Sequence, residues 1–145
     1  MPERKTIERA KKDKAEGKAP TTQAGEFVRE EMEHIREGKH GARSPQQAIA
    51  IGLSKARRAG VDLPPPRKGT TSEATRKRAE RDLEKGRSGK QAKPSAKRSR
   101  AIREVLKREA PSSASKPALS KQAKQAAARR RGRGKATRAR STRSR

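Results

Sequence analysis

The sequence predicts a small all-α fold: a central helical hairpin, additional short basic helices, and disordered basic arms at the N- and C-terminal ends. Three observations carry that expectation. The stretch from Gly25 to Pro66 holds the sole aromatic residue, Phe27, and the longest apolar run, Ala48 to Leu53. Hydrophobic residues make up 27% of the chain and aromatics 1%, too little to bury a core along the whole length. The net charge is +26, from 42 Lys and Arg against 16 Asp and Glu, and blocks of like charge form solvated arms. The chain accordingly divides into an N-terminal arm (1–23), the hairpin (24–66), two basic helices (67–110), and an Ala/Lys/Arg-rich helix with a disordered tail (111–145).

In chain order, Pro2 to Lys18 mixes both charge signs around one sizeable apolar group, Ile7, and reads as a fraying helix with no face to dock. Gly17 to Gly25 is linker. The first hairpin helix is expected over about 25–37, where Phe27, Val28, Met32 and Ile35 share one arc at helical spacing. Thr21 or Thr22 offers an N-cap and Gly38 a left-handed stop. Glu31 falls inside the apolar arc and needs a polar partner or an exposed edge.

The second hairpin helix is expected over about 45–59. Ser44-Pro45-Gln46-Gln47 supplies an N-cap, a proline at the first helical position and a capping-box glutamine. Gly60 ends it, with Val61 placed to close back on Ala56. Ile49, Ile51 and Leu53 alternate as in a strand, but the caps and the length favour helix. Ala48, Gly52 and Ala56 form a smooth row beside Ile49 and Leu53; Gly52 either marks a close approach of the first helix or is merely tolerated. The link from Gly38 to Arg43 is short enough to make the two helices antiparallel neighbours. A unit of this size leans on self-association (a homo-oligomer through the hairpin), on flanking helices, or on a bound partner.

Leu63-Pro64-Pro65-Pro66 is an extended, stiff spacer. A helix over about 72–85 is polar nearly all round, with Leu83 its one large apolar residue and Arg76–Glu80 and Arg78–Asp82 as supporting pairs. The helix over about 95–109 carries a stripe of Ala101, Ile102, Val105 and Leu106. The two resemble each other at an offset of 22 residues, by duplication or by chance in a chain rich in Arg and Ala. Pro117 to Arg131 reads as a polar helix with Leu119 as its only large apolar group, and Gly132 to Arg145 as disordered tail.

The chemistry is that of a binding protein. No positioned catalytic constellation is legible, so no enzyme activity and no cofactor are expected. There is no cysteine, hence no disulfide framework. No apolar run approaches the ~20 residues that span a bilayer, and Met1 to Pro20 lacks the apolar region of a secretory signal, so no membrane partner is expected. His34 and His40, with Glu31 nearby, suggest a metal site; lacking a defined third ligand they read as surface groups of the hairpin, with no metal ligand assigned.

Charge points to nucleic acid, and it rises along the chain. Residues 110–145 carry 12 basic side chains and no acid. Arg129, Arg130, Arg131, Arg133, Lys135, Arg138, Arg140, Arg143 and Arg145 crowd into the last 17 residues, and neutralising a polyphosphate backbone releases condensed counterions. Arg76, Arg78, Arg98, Arg100 and Arg103 on the basic helices, with Lys55, Arg57 and Arg58 on the hairpin, extend the candidate surface. Arg131-Gly132-Arg133 resembles the core of an AT-hook without its flanking prolines, which makes a generic phosphate-binding cluster the better reading. One aromatic residue leaves no stacking platform for single-stranded bases, so DNA is favoured over RNA.

The sequence from Lys93 onward resembles, in composition, the tails of linker histones and bacterial histone-like proteins. The segments AGEFVREEMEHIREGKHGARSPQQAIAIGLSKARRAGVDLPPP (Ala24 to Pro66) and SAKRSRAIREVLKREA (Ser95 to Ala110) resemble a family of small, basic, uncharacterised bacterial proteins. That resemblance implies a bacterial setting and supplies no site residues. The expectation is therefore a non-enzymatic, largely sequence-independent DNA-binding protein of the cytoplasmic nucleoid. The alternatives are an RNA- or ribosome-associated protein, and a disordered scaffold whose hairpin docks an acidic protein.

Overall fold

A computed structural model describes residues 2–89, 93 and 95–143, with side chains as far as Gly134. The fold is small and all-helical, with no strand among the described residues. Its helices are α1 (Arg4–Ala15), α2 (Pro20–Arg36), α3 (Pro45–Arg58), α4 (Glu73–Ser88), α5 (Ala96–Arg108) and α6 (Lys116–Arg143), with a 3-10 turn at Pro111–Ala114.

The antiparallel pair α2–α3 is the predicted hairpin. Ser44 caps α3 by accepting from the Gln47 N–H at 3.2 Å, and the Gln47 side chain accepts in return from the Arg43 N–H at 2.6 Å. At the other end Gly60, at φ 99°, lets the Val61 N–H reach the Ala56 carbonyl at 3.0 Å, the six-to-one bond of a Schellman closure. A Cβ on Gly52 would stand 2.7 Å from the Val28 Cα, so the smooth row is where α2 crosses. Helix α2 starts earlier than expected, with Pro20 in its first turn and Ala19 at the N-cap in place of Thr21 or Thr22.

Two small cores result. Phe27 is enclosed with Ala10, Ala24, Ala56, Val61 and Leu63, and Ile7 and Leu53 pack on that group. Ile35 and Met32 are enclosed with Ala42, Ala48 and Ala114, with Val28, Ile49 and Leu119 against them. Alanine predominates in both, which lets helices approach closely where few large side chains are available to fill space.

Residues 2–23 differ from the expected undocked arm. Helix α1 packs on α2 and buries Thr6, Ala10 and Asp13. Ile7 and Ala10, three residues apart, make a narrow apolar contact, and polar ties hold it: the Glu3 N–H donates to Glu30 Oε1 at 3.1 Å, and Arg9 meets Glu26 at 3.5 Å. Lys18 then closes on Asp13 and Glu16, each at 2.7 Å; the Asp13 hydrogen bond first, then Glu16, pushes its ammonium above the usual lysine range.

The basic helices exchange the roles their sequences suggest. The polar α4 docks, burying Ala79 and Leu83 against α3, with Asp82 accepting from Ser54 Oγ at 2.5 Å and facing Arg58 at 3.6 Å. Asp82 therefore pairs across to α3 and not with Arg78, whereas the expected Arg76–Glu80 pair forms at 3.4 Å. The more amphipathic α5 buries nothing; Ile102 is 60% exposed and Val105 55%. It is tied to the hairpin link by the Gly41 N–H donating to the Leu106 carbonyl at 2.8 Å.

The 3-10 turn brings Ala114 into the Ile35 core, where the Ala114 carbonyl accepts from Arg36 Nε at 3.0 Å. Helix α6 continues to Arg143, through Gly132 and Gly134, whereas composition places its end at Arg131. Its Ala-, Lys- and Arg-rich sequence has high helix propensity, against which each glycine costs about 1 kcal/mol.

Candidate functional site

Acidic groups of the hairpin and α4 are largely matched by nearby cations: Glu26 with Arg9, Glu33 with Arg29, Asp62 with Arg87, Asp82 with Arg58. Two members of the predicted basic surface are absorbed in this way. Lys55 Nζ donates to Glu31 Oε1 inside the hairpin, giving Glu31 the partner its position in the apolar arc requires. Arg57 is 7% exposed, and its guanidinium donates to the carbonyls of Leu63 and Pro64, each at 3.1 Å. Desolvation pulls Arg57 below the usual arginine value. Lys55 and Arg57 are thus internal to the fold and leave the candidate interface. Arg58 is exposed but engaged with Asp82 and Ser54, and Arg76 with Glu80.

The remaining cations whose side chains are described face solvent. Arg78, Arg98, Arg100, Arg129 and Arg131 are exposed and form no ion pair among the described residues; Arg103 donates to Ser99 at 3.2 Å and Arg130 to the Ala126 carbonyl at 3.4 Å. Arg129, Arg130 and Arg133 line a shallow groove with Thr70, where Arg133 donates to the Gly69 carbonyl at 2.8 Å. Three arginines and a threonine share this surface, the residue types that contact phosphates. Lys135, Arg138, Arg140 and Arg143 lie on the backbone of α6 with side chains outside the described residues, and Arg145 lies outside them altogether.

The histidines are not the surface groups the sequence suggested. His34 and His40 are covered to 14% and 17% side-chain exposure, with ring centroids 6.2 Å apart in an edge-on arrangement. Glu31, fully buried, lies beside them: its Oε2 is 3.2 Å from His40 Nε2. Helix α2 contributes Glu31 and His34 one turn apart, and the reversal at Gly38 returns the chain so that His40 meets them. The Glu31-x-x-His34 spacing was the one legible signal; the fold-back of His40 was not. On the other side of His34, Nε2 lies 3.0 Å from Glu3 Oε1 and 3.8 Å from the buried Glu30. The His34 hydrogen bond holds the Glu3 carboxyl below its ordinary value.

Fold and site together define a small, basic, all-helical protein with an acidic-and-imidazole cluster at the hairpin and free arginines elsewhere. Residues 5–68 match a family of unknown function (DUF6496). The matched span opens within α1 and closes just after the proline segment, so it coincides with the α1–α3 unit and leaves out α4 to α6. No curated protein and no solved structure matches the chain. No described helix is long and apolar enough to cross a membrane.

Proposed function

We propose that the protein binds duplex nucleic acid, DNA in preference to RNA, through its phosphate backbone and without sequence preference, as a histone-like component of a bacterial nucleoid. The observation that carries this reading is the segregation of charge. The ion-paired acids lie mainly on α1, the hairpin and α4, while α5 sets a single acid, Glu104, against six cations, and residues 110–145 contain no acid. Phosphates are the partner that such a surface meets with gain, each neutralised one releasing about 0.9 of a counterion. The compositional resemblance of the C-terminal third to histone-like tails points the same way.

The test is a gel-shift series at several salt concentrations, with duplexes of unrelated sequence and with single-stranded RNA. About ten phosphate contacts lose roughly 10³–10⁵ in affinity between 50 and 200 mM salt. Equal affinity for unrelated duplexes and weaker binding of single strands are expected. Preference for RNA at every salt concentration, or no binding at low salt, refutes the reading.

A further inference from the structure

We propose that Glu31, His34 and His40 form a binding site for a borderline divalent transition metal, of which Zn²⁺ is the representative. The three residues each offer a ligand atom within 4.8 Å of the others. Two imidazoles and a carboxylate are a donor set that suits Zn²⁺ and its neighbours and discriminates against Mg²⁺ and Ca²⁺.

The hydrogen bonds around the cluster argue for an ion. His40 Nδ1 lies 3.0 Å from the Gly41 carbonyl oxygen, which can only accept, so that ring nitrogen carries the proton. In the neutral ring, Nε2 is then a lone pair, and it faces Glu31 Oε2 at 3.2 Å. Two lone pairs at that distance repel unless a cation stands between them, either a proton on Nε2 or a metal ion that takes its place. Ligands about 2.0–2.2 Å from a tetrahedral zinc lie roughly 3.3–3.5 Å apart, close to the observed separation. Glu31 Oε2 is buried and has no aligned hydrogen bond, an unspent acceptor aimed into the cluster. Its other oxygen is held by Lys55, which fixes the carboxylate for single-oxygen ligation.

His34 is oriented in the same manner. Its Nε2 is held by Glu3 at 3.0 Å, leaving Nδ1 as the lone-pair nitrogen. A ligating histidine whose second nitrogen donates to a carboxylate or a backbone carbonyl is the usual outer arrangement of a zinc site, and both histidines have it. Three protein ligands leave a fourth position for water, and the partial exposure of both rings gives an ion a way in. Such an ion joins the last turn of α2 to the link that follows it, in a hairpin with no disulfide.

Titration of the full chain with Zn²⁺, followed by calorimetry and by imidazole ¹⁵N resonances, tests the site. His34 and His40 are the only histidines, so the ring signals report on it without mutation. Both rings are expected to respond and to saturate at one equivalent, with no response to Mg²⁺ and a rise in Tm of about 5 °C at a large excess over Kd. Glu3→Gln is expected to weaken binding about tenfold, as loss of an outer partner does, and His40→Gln by more than 100-fold, with helicity in metal-free buffer unchanged. Ring signals of the unsubstituted chain that ignore Zn²⁺, or equal uptake by a His34→Gln/His40→Gln double variant, overturn the proposal.

Discussion

Arg57 shows how one side chain changes the meaning of a segment. By residue type it belongs to the basic face of α3; in the fold it turns inward and holds two successive carbonyls of the Leu63–Pro64 step. A proline segment cannot donate backbone hydrogen bonds of its own, so an external fork of donors is what fixes its path. Arg57→Leu is expected to destabilise the fold by about 1–3 kcal/mol, since it strands two partly buried acceptors. Arg57→Lys should restore only a minor part, because one compact ammonium does not span both carbonyls. Urea unfolding followed by circular dichroism measures both variants. DNA affinity should be unchanged under conditions where the variants are folded. The need of Glu31 for a partner was legible in the sequence, whereas the inward turn of Lys55 and Arg57 was not: helical periodicity assigns a residue to a face but cannot say which charged side chains on that face are recruited inward.

At the scale of the element, α4 and α5 have opposite fates from closely similar sequences. Ala79 and Leu83 of α4 correspond to Ala101 and Val105 of α5, yet the first pair is buried and Val105 is exposed. The difference lies in what surrounds the stripe. Helix α4 adds Gly86, where a Cβ would stand 1.9 Å from the Arg57 carbonyl oxygen, together with Asp82 facing Ser54 and Arg58. Close approach and a polar latch under the buried face dock α4 with little apolar surface. Helix α5 has such contacts only at its C-terminal end, where a Cβ on Gly41 would stand 1.9 Å from the Glu109 carbonyl oxygen, and its apolar stripe stays open. Gly86→Ala should therefore undock α4, although in an isolated helix the same change gains up to about 1 kcal/mol of propensity. The expected readout is faster hydrogen exchange along residues 73–88, with protection of residues 20–58 retained. Unaltered exchange in α4 would show that the backbone there yields without cost. The hairpin was legible because Ser44, Pro45 and Gly60 mark its boundaries locally; the docking of α1 and α4 was not, because each rests on one large apolar residue, Ile7 or Leu83, and otherwise on alanine or glycine contacts that make no hydrophobic stripe.

Across the whole molecule, the C-terminal region combines two roles that composition presents as one. Its first turn is structural: Ala114 is fully buried beside Ile35, its carbonyl takes the Arg36 guanidinium, and Leu119 covers the same core. Its far end carries nine of the twelve positive charges of residues 110–145, from Arg129 to Arg145. A chain ended at Ala110 loses both roles, so a drop in nucleic-acid binding by that variant would not separate lost charge from a loosened hairpin. A chain ended at Gln125 keeps Ala114 and Leu119 and removes the nine. The shorter variant is expected to lose about 1–3 kcal/mol of stability, the cost of uncovering a small apolar cluster. The longer one should unfold at the same urea concentration as the full chain. Its salt dependence should nevertheless fall, by up to about 8 in the slope of log K against log salt if every removed charge meets a phosphate. Intact stability with an unchanged slope would place nucleic-acid contact on α4 and α5 instead; a loss of stability on removing residues 126–145 would mean that the arginines lining the groove with Thr70 help to hold the fold.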